Sequence, residues 1–69
     1  MIYFIDIVRA SQQQHEPEIL SRIIDHESCA DEAKARARAI LAGVTFVGAE
    51  GVRVLDQNGR EIFRQCLPE

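Results

Sequence analysis

The chain has no tryptophan, one tyrosine, three phenylalanines, two prolines and two cysteines among its 69 residues. Two cysteines make no disulfide framework, and they suit a reduced, cytoplasmic setting. No apolar run approaches the ~20 residues needed to span a bilayer. The chain enters an apolar strand at residue 2, with neither a basic segment nor a small-residue cleavage site of a secretory leader, so no membrane association is expected. Basic excess is missing too. Eight Lys and Arg stand against eleven Asp and Glu, a net charge of −3, and no segment is strongly basic. The electrostatic footprint of a nucleic-acid binder is therefore absent at chain level, although an arginine patch can still form in three dimensions. No phosphate-binding glycine loop, dinucleotide fingerprint, nucleophile elbow or H-E-x-x-H helix occurs. A chain of this size buries only about 60% of its unfolded surface. It has room for one thin two-layer domain over residues 1–69, without a deep active-site cavity.

What is present is organised around residues 28–43, S-C-A-D-E-A-K-A-R-A-R-A-I-L-A-G. Ser28 with Asp31 and Glu32 marks a helix start, the hydroxyl meeting an orphan amide and the carboxylates meeting the positive end of the dipole. Ala30, Ala33, Ala37, Ile40 and Leu41 fall on one stripe, mostly of alanine, which lets a helix lie close on a sheet. Gly43 stands where a left-handed cap is usual. Glu32 and Arg36 have the favourable i,i+4 spacing. Lys34 and Arg38 flank the stripe as cations on a solvated helix face.

Everything apolar on either side of the helix has strand character. Residues 1–9 form a strand with Tyr3, Ile5 and Ile7 on one side and Ile2, Phe4 and Val8 on the other, which suggests a central position. Asp6 belongs to the second side, near a basic neighbour. Residues 10–17 make a polar connection. Residues 18–27 fit a helical stripe or a strand, and their β-branched content favours a strand antiparallel to the first. Phe46 and Val47 are expected to plug one end of the core. Residues 51–56 and 60–67 form a hairpin closed by Asp56-Gln57-Asn58-Gly59, with Arg53 and Leu55 opposite Val52 and Val54. The expected fold is α+β: β-β-α-β-β, an antiparallel sheet in the order 2-1-3-4 with one helix on one face.

Three chemistries bear on these residues. His26 and Cys29 are spaced H-x-x-C, and Cys66 or His15 are the remaining nitrogen or sulfur ligands, but no second paired motif exists, so no metal or cofactor is expected. Cys29 near a helix start, with His26 three residues before it, is the best case for a nucleophile. Small cysteines at helix starts are mostly inert, and no catalytic residue is assigned. Binding fits best. A sheet with a helix on one side leaves a face and an edge for a partner, and Tyr3, Arg9, Arg22, Arg53 and Arg64, with Lys34 and Arg38, are the candidate interaction residues.

The stretches I-Y-F-I-D-I-V-R, D-E-A-K-A-R-A-R-A-I-L-A and G-V-R-V-L-D-Q-N-G-R-E-I together resemble a set of short uncharacterised bacterial proteins. Those proteins share an aromatic N-terminal strand, an alanine-rich helix and a terminal D-x-x-G-R hairpin. A looser resemblance runs to the HicB-type antitoxins, which also pair an early aromatic strand with an E-A-type helix. The first resemblance implies no activity. The second implies a nucleic-acid-associated accessory role, the alternative to a protein-interaction module that pairs with a protein partner or a second copy of itself.

Overall fold

The computed structural model describes residues 1–9, 17–43 and 48–66. Strand β1 (Ile2–Arg9) is followed by β2 (Glu18–His26), helix α1 (Ala30–Ala42), β3 (Gly51–Leu55) and β4 (Glu61–Cys66). The strands form one sheet in the order β2-β1-β3-β4, every neighbouring pair antiparallel, with the helix on one face. This is the α+β architecture and strand order expected from the sequence. Phe46, Val47 and the 10–16 part of the polar connection lie outside the described residues, as do His15 and Leu67.

Alternation along β1 decides the core. Tyr3, Ile5 and Ile7 point to the helix side and meet Ala33, Ala37 and Leu41 of α1 and Val52 and Val54 of β3. Ala30 and Ile40 pack at the margin of this cluster, completing the expected stripe. The alanines let α1 approach the sheet closely, and its nearest packing is on β3, then β1, then β4. Strand β2 lies at the rim of this footprint.

Two bulges adjust which side chains reach the core. Ile7 faces Ser21 but Val8 faces Ile19, so Leu20 is an extra residue on β2 and packs against the core beside Ile23. A strictly alternating strand would have put Leu20 opposite Ile23. Val54 faces Phe63 but Leu55 faces Glu61, so Ile62 is extra on β4, and Ile62 and Phe63 both pack inward. The hairpin turn closes separately, with the Asp56 N–H donating to Arg60 O. Gly59 takes φ +83°, its N–H donates to Asp56 O, and the Asp56 carboxylate accepts from the amides of Asn58 and Arg60. This is a four-residue turn whose last residue is a left-handed glycine.

The helix ends differ from expectation. Cys29 rather than Ser28 is the N-cap and makes no side-chain cap bond, because the Ser28 hydroxyl donates to Glu32 Oε2 at 2.8 Å. Glu32 is thereby occupied, and Arg36 turns instead to Asp25 on β2, at 3.3 Å. Gly43 is not left-handed. It has φ −108°, and its N–H is shared between the carbonyls of Ala39 and Ile40.

Gly51 is confined by its neighbours. A Cβ there would lie 2.5 Å from Gln65 O and 3.1 Å from the Cys66 Cα, whereas one on Gly43 would meet nothing closer than 3.9 Å. Gly51→Ala is therefore expected to lower stability by about 2 kcal/mol, because the β3–β4 pair must separate. Gly43→Ala, at a negative φ, is expected to stay within about 0.5 kcal/mol of the parent. Urea unfolding of the two variants beside the parent measures both.

Candidate functional site

The face of the sheet opposite the helix is built in cross-strand rows, because residues directly opposite in adjacent strands share a face. One row runs Ile24, Phe4, Leu55. The next runs Arg22, Asp6, Arg53, Arg64, and the third Ile19, Val8, Gly51, Cys66. A charged band thus crosses all four strands between two apolar bands.

Asp6 is the centre of the charged band and is fully buried. Arg22 grips it side-on, with Nε 2.7 Å from Oδ1 and Nη2 2.9 Å from Oδ2. Arg53 Nε donates to Oδ2 from the other side at 2.9 Å. Burial alone would push the Asp6 carboxyl up. The hydrogen bonds and positive charge of Arg22 and Arg53 outweigh burial and hold it below its ordinary value. Arg22 is raised in turn, chiefly by its hydrogen bond to Asp6. The Arg22 guanidinium also lies 5.3 Å from the Phe4 ring centroid, a cation–π distance. Arg64 stands directly opposite Arg53, an unfavourable like-charge pair, and Glu61 relieves it by accepting two bonds from Arg64.

Four large apolar side chains are exposed among the described residues: Met1, Ile2, Ile19 and Ile24. All four belong to β1 and β2 or the residue preceding them, and Ile24, the second most exposed, retains 60% of its surface. The free edge of β2 runs alongside. Met1 and Glu27 exchange both backbone hydrogen bonds, at 3.0 and 3.1 Å. In that register Asp25 and Ile23 turn their amides toward β1, while Arg22, Ile24 and His26 turn theirs outward.

Asp25 is the second buried carboxylate, on the helix side of β2. Arg36 reaches Oδ1, and Oδ2 is buried without a hydrogen-bond partner among the described residues. Nearby, burial first, and then the negative charge of Asp25, hold the Glu27 carboxyl above its ordinary value, with contacts to Glu32 adding to the shift. Glu32 is lowered by its hydrogen bonds from Ser28.

The candidate residues named from sequence divide accordingly. Arg22, Arg53 and Arg64 come together in the charged band. Arg53 is itself buried there. Arg9 pairs with Glu18 at the end of the β1–β2 ladder. Arg38 lies over the Phe63 ring at 5.0 Å, and Lys34 is half-buried on the helix. Neither belongs to the band. Tyr3 requires correction as a surface residue: it shares the inward parity of Ile5 and Ile7, is buried in the core, and directs its hydroxyl to the Met1 sulfur. Sequence reasoning missed Ile19 as an exposed apolar side chain, because the bulge at Leu20 reverses its parity, and it left open which of Ile23 and Ile24 is buried; the register turns Ile24 outward.

Cys29 and Cys66 are free and exposed. Among the described residues no group of three His, Cys, Asp or Glu side chains is arranged to hold a metal ion. No helix among them is long and apolar enough to cross a membrane. Comparison with family models, with curated proteins and with solved structures finds no match.

Asp6→Ala leaves the buried Arg53 without its anion and is expected to cost about 3 kcal/mol or more in urea unfolding. The pH dependence follows in sign. The folded value of Asp6 lies below the unfolded one, so its contribution is complete above the unfolded value of about 4 and is lost as pH falls through the folded value. Parent stability should therefore drop on the acid side of about pH 4, and Asp6→Asn should flatten that limb. An Asp6→Asn profile as steep as the parent's would place the acid sensitivity elsewhere.

Proposed function

We propose that the chain is a non-enzymatic protein-interaction module that docks through strand β2 and the adjoining part of the helix-free face. The observation that carries this reading is the segregation of exposed apolar surface. Ile2 and Ile24 on one side of the charged row, and Ile19 on the other, lie at one flank of the sheet, beside an edge strand whose outward amides are unpaired within the sheet. Exposed apolar side chains beside a sheet edge are a usual composition of a docking surface. The opposite edge is protected. Strand β4 is shorter, is bulged at Ile62 and presents the charged pair Arg64–Glu61.

The band of Arg22, Arg53 and Arg64 favours a second reading, a nucleic-acid-associated accessory protein of antitoxin-like architecture. Its anions weigh against it. Asp6 engages two of the arginines and Glu61 the third, which leaves a surplus of one positive charge in the band. Phosphate contacts draw on unpaired cations.

Light scattering at two protein concentrations and two salt levels separates the readings. A docking surface of apolar side chains and backbone bonds should hold its assemblies as salt rises, whereas phosphate binding weakens steeply. Ile24→Lys places a charge at the centre of the surface without touching the core. It is expected to weaken association about tenfold or more while leaving the urea midpoint within experimental spread. An unchanged association constant would move the docking surface off β2.

A further inference from the structure

We infer that the partner of β2 is β2 of a second copy, paired antiparallel about a two-fold axis at Ile23, so that one eight-stranded sheet runs through the dimer. This rests on the docking reading above and adds the partner and the register.

The backbone limits the choices. The outward amides of β2 belong to Arg22, Ile24 and His26, so any new antiparallel ladder must exchange hydrogen bonds through these positions. A two-fold axis at Ile23 sets Arg22 against the partner's Ile24, and Ile24 against the partner's Arg22. Between them, Ile23 faces the partner's Ile23 as a non-hydrogen-bonded pair, the closer of the two pair types. Asp25 then faces the partner's Ser21, and Ser21 the partner's Asp25, both on the helix side.

Three observations on the unpaired chain are met at once in this register. The buried Oδ2 of Asp25, which has no hydrogen-bond partner among the described residues, gains a hydroxyl donor from the partner's Ser21 when the carboxylate turns toward the strand edge. Ile24, exposed on the helix-free face, gains the aliphatic stem of the partner's Arg22 as a lid, while that guanidinium stays on its own Asp6. Ile23, at the margin of the core, is covered by its own symmetry mate.

The neighbouring registers fail. An axis at Arg22 places two guanidinium groups directly opposite, which is unfavourable across a strand pair. An axis at Ile24 sets Asp25 against the partner's Ile23 and leaves Oδ2 without a donor. An axis at Ser21 puts the bulged Leu20 beside the axis, opposite Arg22, whereas the axis at Ile23 meets it only at the end of the ladder, opposite His26.

Cross-linking reads the register directly. In a chain with Cys29→Ser and Cys66→Ser, Ile23→Cys brings two thiols face to face in a close pair, while Ile24→Cys leaves them apart. Mild oxidation should convert most of the Ile23→Cys chain to a covalent dimer, at a rate about tenfold above that of Ile24→Cys. Faster cross-linking through Ile24→Cys would overturn the register and favour face-to-face docking, leaving the docking reading intact. A wild-type chain that stays monomeric by light scattering at high concentration would overturn self-pairing, while capture of a different protein dependent on Ile24 would still preserve the docking reading. Ser21 supplies an independent measurement that keeps the core untouched. Ser21→Val should weaken the dimer about tenfold, and Ser21→Thr, which retains a hydroxyl, should restore most of it. Equal dimer affinity of Ser21→Val and the parent would overturn the Asp25 contact and with it the axis at Ile23.

Discussion

The carboxylate of Asp6 ties three strands together from the middle of the sheet. A buried charge of this kind is tolerable only with its partners in place, and here they come from both neighbours of β1, Arg22 of β2 and Arg53 of β3. The arrangement therefore fixes register as much as it stabilises. A slip of β2 or β3 by one residue would send its arginine to the helix side and leave Asp6 buried with half its compensation. Register matters unusually in this sheet because apolar residues occupy both faces of β1, so hydrophobic patterning alone discriminates weakly between alternatives. The polar row supplies that discrimination. The two bulges sit outside the Arg22–Asp6–Arg53 contacts, one at Leu20 and one at Ile62, so each peripheral strand adds a side chain to the core without disturbing them.

Much of this was legible in the sequence, and the reasons are local. The alanine stripe has a single period and one flanking glycine, so the helix and its inward face follow directly. The Asp56–Gly59 segment has only one comfortable turn. Parity along β1 and β3 is uninterrupted, which puts Asp6 and Arg53 on the same side before any coordinates are known. Strand β2 was harder, since an inserted residue at Leu20 leaves composition unchanged yet inverts the facing of everything N-terminal to it. Ile19 and Leu20 consequently exchange roles. Tyr3 is a different case: its parity matched Ile5 and Ile7 and implied burial, and its side-chain type pulled the assignment toward the surface. Position outweighs residue type there. At the helix start, Ser28 and Cys29 compete for the cap, and the decision falls to Glu32, which reaches back to the Ser28 hydroxyl and draws the serine out of the cap position.

Electrostatics divide between the two sides of the sheet. On the helix-free side the cations have their anions: Arg22 and Arg53 share Asp6, and Arg64 has Glu61. On the helix side, near the start of α1, the anions outnumber the cations in reach. Glu32 has Ser28, and Asp25 has one long contact with Arg36. Glu27 responds by holding its proton more tightly than an ordinary glutamate. The incompletely satisfied groups thus collect at β2 and its junction with the helix, the same part of the molecule that carries exposed isoleucine. Apolar exposure and polar dissatisfaction are independent costs, and among the described residues they coincide on one strand, which is what the docking proposal rests on.

The dimensions of the fold explain why β2 is the strand left over. An α-helix is about 10 Å across, and thirteen residues extend about 20 Å. Strands lie about 4.8 Å apart, so one helix shields roughly two of them. Here it is centred on β3 and β1, where Ala33 and Ala37 allow close approach and Val52, Val54, Ile5 and Ile7 fill the space. Both outer strands then lie at the rim. Strand β4 is brought under cover by inward packing of Ile62 and Phe63 and by Arg38 over the Phe63 ring. Strand β2 sends Leu20 and Ile23 to the margin of the core and meets the helix through the Arg36–Asp25 contact, and its nine residues exceed the six of β4. A single helix cannot be moved toward β2 without uncovering Val52 and Val54. The pairing proposed about Ile23 is the arrangement that would shield β2 with a strand of a second copy while leaving the helix on β3 and β1.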